Sequence, residues 1–206
     1  MKKTLSLVFI IFISCNSKKI TTYQEMKSDN LISEYFSDSE LKDLAKIVDF
    51  FEMEICNDSI KDLENCYKAF NKEIGEGFLK GSFYLGIDFK HQKKLYNRID
   101  RIFFNEIWVK NKEIVGTEPL KYKESDYFEL KVFGRFSSFL EKVGNANEFF
   151  KSFNESLNIT GDISPSLTAN IIRDKYAVNM TDIKNRLLLS IHFLTLNERN
   201  NNFKNK

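Results

Sequence analysis

The chain has 206 residues, 42% of them hydrophobic, with 31 Lys and Arg against 29 Asp and Glu. That length and apolar content suffice for one domain with a sizeable core, and a near-balance of interspersed charge lacks the basic footprint that nucleic-acid binding requires. Only 2 prolines and 8 glycines interrupt the sequence, a scarcity of breakers that favours long helices over a many-turned β-sandwich.

At the start of the chain Lys2 and Lys3 precede an apolar run from Leu5 to Ile13, followed by Ser14 and Cys15. A charged start, an apolar middle and a small residue form the layout of a secretory signal. The run is too short to span a bilayer, which takes about 20 residues. Phe12-Ile13-Ser14-Cys15 resembles the lipobox of bacterial lipoproteins. The resemblance implies a signal peptide over residues 1–14, cleavage before Cys15, and lipid (a diacylglycerol on the thiol, an acyl chain such as palmitate on the new N-terminus). It also implies an exported protein anchored to a bacterial membrane and facing the periplasm. At about 0.8 kcal/mol per buried CH₂, such an anchor is effectively permanent. Residues 15–37 read as the lipidated tether, because NSKKITTYQEMKSDN is polar with little apolar period. Removing residues 1–14 takes away Lys2 and Lys3 and no acid, so the remainder carries 29 basic and 29 acidic residues and is formally neutral.

Residues 38–199 read as a single all-α domain. Ser37 and Glu40 offer a capping box, and Leu41, Leu44, Ile47, Phe51 and Ile55 follow at helical spacing, predicting a helix over 39–55. Leu63, Tyr67, Phe70 and Ile74 predict a second over 60–74, stopped by Gly75 and Gly77. Cys56, just past the first helix, and Cys66, within the second, are an even pair in an exported domain and therefore an expected disulfide. Bridged Cα atoms lie within about 7 Å, so the first helix must fray before Cys56 or the second must begin late, near Asp62. Residues 78–89 suggest an irregular or β-hairpin-like segment. Leu95, Ile99, Phe103 and Ile107 predict a helix over 90–108, and residues 109–124, with Gly116 and Pro119, a long loop. Phe128, Val132, Phe136, Leu140 and Val143 line one face of a further helix ended by Gly144 at C′. A short helix follows Asn145. Ser164-Pro165 opens another through Tyr176, and Thr181-Asp182 caps the last, which carries Ile183, Leu187, Ile191 and Leu194. Residues 200–206 read as a disordered tail. The expected architecture is an irregular bundle of about seven helices.

Little in this body carries chemistry. The sequence holds no G-x-S-x-G nucleophile elbow and no Gly-rich phosphate cradle, and a disulfide removes Cys56 and Cys66 as thiolates. His192 lies in the most apolar helix and reads as a packed core residue. His91 follows Asp88 without recognised ligand spacing, so no metal or cofactor is expected. One pair, Glu73 and Glu76, could supply the two carboxyls of an envelope glycan hydrolase, if one of them sat in an apolar setting. Trp108 and the aromatics Tyr122 and Tyr127 could form a binding loop. Asp58-Ser59-Ile60 resembles an O-glycosylation acceptor tripeptide. The preferred reading is a non-catalytic lipoprotein, held to the membrane through Cys15, that binds an envelope protein partner as an accessory or immunity-type factor.

Overall fold

The computed structural model describes residues 20–56, 62–80, 84–118 and 121–204. The expected signal peptide over residues 1–14, the expected lipidation site Cys15 and the Asp58-Ser59-Ile60 tripeptide lie outside the described residues. Among those described, ten helices surround one two-stranded antiparallel hairpin, so the fold is all-α with a small β element. No described helix is long and apolar enough to cross a membrane.

The expected tether is corrected from Thr22 onward. Thr22–Ser28 (α1) and Asn30–Tyr35 (α2) are helices. Thr21 caps α1 through a capping box with Gln24, and the Asp29 carboxylate accepts the Leu31 and Ile32 N–H groups to open α2. Met26, Ile32 and Phe36 are buried to 0%, 0% and 3% exposure. Local capping and a few deeply buried side chains thus fold a polar stretch onto the domain.

Asp38–Cys56 (α3) and Leu63–Leu79 (α4) form the expected αα-hairpin. At the start of α3, Glu40 accepts hydrogen bonds from both the Ser37 N–H and its hydroxyl. Asp62 caps α4, so Cys66 falls in its first turn, and the Cys56–Cys66 disulfide has a Cα separation of 5.3 Å. Of the two arrangements open to the bridge, the late second helix is the one adopted. Gly75 and Gly77 do not stop α4, which continues to Leu79. A Cβ on Gly75 would stand 3.3 Å from Ile172 Cγ2, so this glycine serves close helix packing.

The expected 90–108 helix is two, Phe89–Tyr96 (α5) and Arg101–Ile107 (α6), because Asp100 caps a new start and its own N–H is held by Asp43 at 2.9 Å. Residues 84–88 form neither helix nor strand, and Gly86 turns the backbone at φ 70°. The hairpin lies instead where a loop and a helix start were expected: Trp108–Glu118 (β1) pairs with Lys121–Leu130 (β2), from Trp108 opposite Leu130 onward. Its base is pinned by tertiary contacts. Trp108 Nε1 donates to Thr195 Oγ1 at 2.8 Å, and Phe128 meets the rings of Phe104 and Tyr96 edge-on.

Arg135–Gly144 (α7), Glu148–Thr160 (α8) and Pro165–Ile172 (α9) follow. Gly144 is the last helical residue rather than a left-handed cap, and a Cβ there would meet the Lys151 backbone at 3.0 Å. Gly161, at φ 75°, takes the left-handed cap of α8. Ser164 and Pro165 open α9 as the sequence predicts. Ile183–Lys204 (α10) is the central helix: residues 187–195 are buried on every side, as an all-round apolar helix must be. The tail expected from residue 200 is helical through Lys204, since Asn201 and Asn202 return hydrogen bonds to the carbonyls of Asn197 and Glu198.

Candidate functional site

A cleft among the described residues measures about 650 Å³, within the range of small-ligand pockets. It runs between α4, α9 and the C-terminal part of α10. Asn71, Gly75, Phe78 and Leu79 contribute from α4, Thr168, Ala169 and Ile172 from α9, and Leu196 from α10, with Ile163 on the connecting loop. The wall is apolar because α4 and α9 each turn a stripe of small and aliphatic residues toward the other, and Gly75 lets them approach closely. Phe78 and Leu79 stay 53% and 81% exposed at its edge.

Charged groups ring this wall. Arg199 and Asp162 form an ion pair. Lys72, Glu76 and Arg173 also line the cleft, each exposed, and among the described residues no ion pair engages them. Asn71 is 8% exposed, and its Oδ1 has no hydrogen-bond partner among the described residues.

The one reactive-looking pair is Thr168 and His192, whose Oγ1 and Nε2 stand 3.3 Å apart beneath the cleft. His192 is fully buried against the rings of Phe153 and Phe193, and that burial pushes its imidazole down to about 3. So weak a base does not take a hydroxyl proton at neutral pH. His192 is therefore a packed core residue with one hydrogen bond.

The other sequence candidates disperse. Glu76 lines the cleft but Glu73 does not, and both side chains are solvent-exposed, so neither has the apolar setting that a glycosidase acid needs. His91 is exposed, with Nδ1 3.6 Å from Glu54 and 3.8 Å from Asp88. Among the described residues no group of three or more His, Cys, Asp and Glu is arranged to hold a metal ion. Trp108 is 1% exposed and belongs to the core, while Tyr127 is half-buried on β2 and the Tyr122 side chain lies outside the described set.

Elsewhere the buried polar groups are structural. Arg186 donates from Nε to Glu52 Oε1 at 2.6 Å and from Nη2 to Oε2 at 3.1 Å, and pairs with Glu25, tying α10 to α3 and α1. Burial opposes the charge on Arg186, but the hydrogen bonds and charge of Glu52, then Glu25, outweigh it and hold the guanidinium above its ordinary range. Glu198 lies among α5 and α10 side chains, and desolvation raises its carboxyl to about 7.

Sequence reasoning missed most of the cleft. Gly75, Glu76 and Ser164-Pro165 were visible as local signals, but nothing local links them to Leu196 or Arg173. Comparisons of the chain with protein-family models, with curated proteins and with solved structures give no match.

Proposed function

We propose that this protein is a lipoprotein of the bacterial cell envelope, anchored through Cys15, whose helical domain binds a component of the envelope and performs no chemistry on it. The observation that carries the binding half is the cleft: an apolar wall of small-ligand size, beneath which burial disarms the Thr168–His192 hydroxyl–imidazole pair. The anchoring half rests on Lys2, Lys3, the apolar run and the lipobox-like Phe12-Ile13-Ser14-Cys15. The first described helix, α1, starts at Thr22, seven positions after Cys15, so an anchored domain would sit close to the membrane surface.

Fractionation of cells expressing Cys15→Ser tests the reading. The variant is expected in the soluble exported fraction, and membrane retention equal to the unmutated chain would overturn the anchor. A glycan hydrolase using Glu73 and Glu76 is the competing reading, favoured only by the place of Glu76 on the cleft. Glu76→Gln is expected to leave every envelope phenotype of the protein unchanged, and its loss would favour the hydrolase.

A further inference from the structure

The two ends of the cleft differ, and the difference follows from helix direction. Gly75 of α4 faces Ile172 of α9, and the charge of Asp174, just beyond α9, reaches Lys68, one turn before Lys72. The two helices therefore run antiparallel. Lys72, three residues before Gly75 in α4, lies toward the same end of the cleft as Arg173, which follows α9. Phe78 and Leu79 lie at the other end, with the N-terminus of α9. One end thus carries two cations that no described carboxylate engages, together with Asn71, whose buried oxygen lacks a partner. A polar atom buried without a partner marks a place that something else can complete. The other end is apolar, and the floor between them is formed by Ala169, Ile172 and Leu196. Along α4 and α9 this surface extends about 12 Å, at 1.5 Å per residue.

We infer that the cleft binds a single-chain amphiphile, with its anionic, hydrogen-bonding head between Lys72 and Arg173 and its tail running over Ala169 toward Phe78 and Leu79. The inference deepens the binding reading above. Charge complementarity selects the head, because the described charged residues lining the cleft are Lys72, Arg173 and Arg199 against Glu76 and Asp162, and Arg199 pairs with Asp162. Apolar walls and a volume of about 650 Å³ suit one tail rather than a protein segment, whose helix alone would be about 10–12 Å wide. Free fatty acids and lysophospholipids share the anionic head and single tail, and only the lysophospholipid hydroxyls can also donate to Asn71 Oδ1.

The test uses the full chain as Cys15→Ser, so that no acyl group of its own competes. Dansyl-undecanoic acid serves as a fluorescent probe and its methyl ester as an uncharged twin. Saturable uptake of the acid is expected, with displacement by saturated fatty acids strengthening about fourfold per added methylene until the tail outgrows the cleft. Ala169→Phe, with an unchanged thermal melt, should abolish uptake. The surface pair Lys72→Glu/Arg173→Glu, which disturbs no packing, should weaken the acid by about fivefold or more while leaving the ester unaffected. Displacement by lysophosphatidylglycerol but not by fatty acids would assign the head to phosphate, and the reverse to carboxylate. Acid and ester binding alike, with no effect of the double reversal, would overturn the anionic head. Absence of saturable uptake, whether or not the chain dimerises, would overturn the whole ligand class. In that case release of Cys15→Ser from the membrane would still leave the anchored reading standing, so the two failures are distinguishable.

Discussion

Replacing Arg186 with methionine removes the one cation that, among the described residues, pairs with Glu52. The two side chains are 5% and 4% exposed, and they share two hydrogen bonds, at 2.6 and 3.1 Å. After the substitution the Glu52 carboxylate keeps only the Tyr67 hydroxyl, at 3.3 Å. Breaking one side of a buried pair leaves an uncompensated charge and costs about 3–5 kcal/mol. For a domain of this size, at about 2–4 °C per kcal/mol, the thermal midpoint should fall by about 6–20 °C. The double variant Arg186→Met/Glu52→Met removes the stranded charge together with its partner, so it should recover most of the loss. Glu25, at 34% side-chain exposure, sits at the rim of the same network, and Glu25→Gln should cost under about 1 kcal/mol. Urea and thermal unfolding of the three variants at neutral pH, followed by circular dichroism, measures all of this. The argument fails if Arg186→Met lies within about 1 kcal/mol of the parent, or if the double variant is as unstable as the single.

Three further outcomes follow from the same structure. Cys56→Ser/Cys66→Ser opens a closed loop of separation 10 and should lower unfolding stability by about 2–3 kcal/mol in the chain-entropy model, read from urea midpoints of oxidised parent and variant. Glu198, raised from 4.5 to about 7 by desolvation, binds its proton more tightly folded than unfolded, so stability should decline as pH rises between those values. Its contribution to the decline is at most about 3 kcal/mol. Glu198→Gln should flatten the profile of unfolding free energy against pH, and an unchanged slope would contradict the desolvated carboxyl. Gly75→Leu drives a side chain into the 3.3 Å approach to Ile172. It should cost about 1–3 kcal/mol by overpacking, with hydrogen exchange quickening in α4 and α9 and unaltered in α3.

What the sequence made legible was local. The Asp38–Cys56 helix announces itself by a cap and by apolar residues three and four apart, and Ser164-Pro165 opens α9 by fixing a cap and a φ angle. Long-range contacts decided what was missed. The strands of the hairpin are rich in Lys and Glu, and their conformation depends on cross-strand pairing and on Trp108 reaching Thr195 of a helix 87 residues away in sequence. Residues 22–36 offer only a few apolar side chains, at no sustained period, yet Met26 and Ile32 are wholly buried because α1 packs on α3 and α10 and α2 packs on α7. Asp29 was unreadable for another reason: it accepts from the N–H groups of α2 and meets Lys184 of α10 at 2.6 Å. The cleft combines both cases. Its glycine and its N-cap were visible in isolation, while its width, its exposed Phe78 and its two cations arise only when α4 and α9 pack antiparallel.

The account stands on a chain that is processed and lipidated at its cysteine, since that event would put the cleft within reach of membrane amphiphiles. Intact-mass spectrometry of the protein isolated from membranes of a bacterium that expresses it tests this most directly. The expected species begins at Cys15, carries a thioether-linked diacylglycerol and an amide-linked acyl chain, and has lost the two hydrogens of the Cys56–Cys66 bridge. A species that still begins at Met1, or one with an unmodified Cys15 thiol, would contradict it.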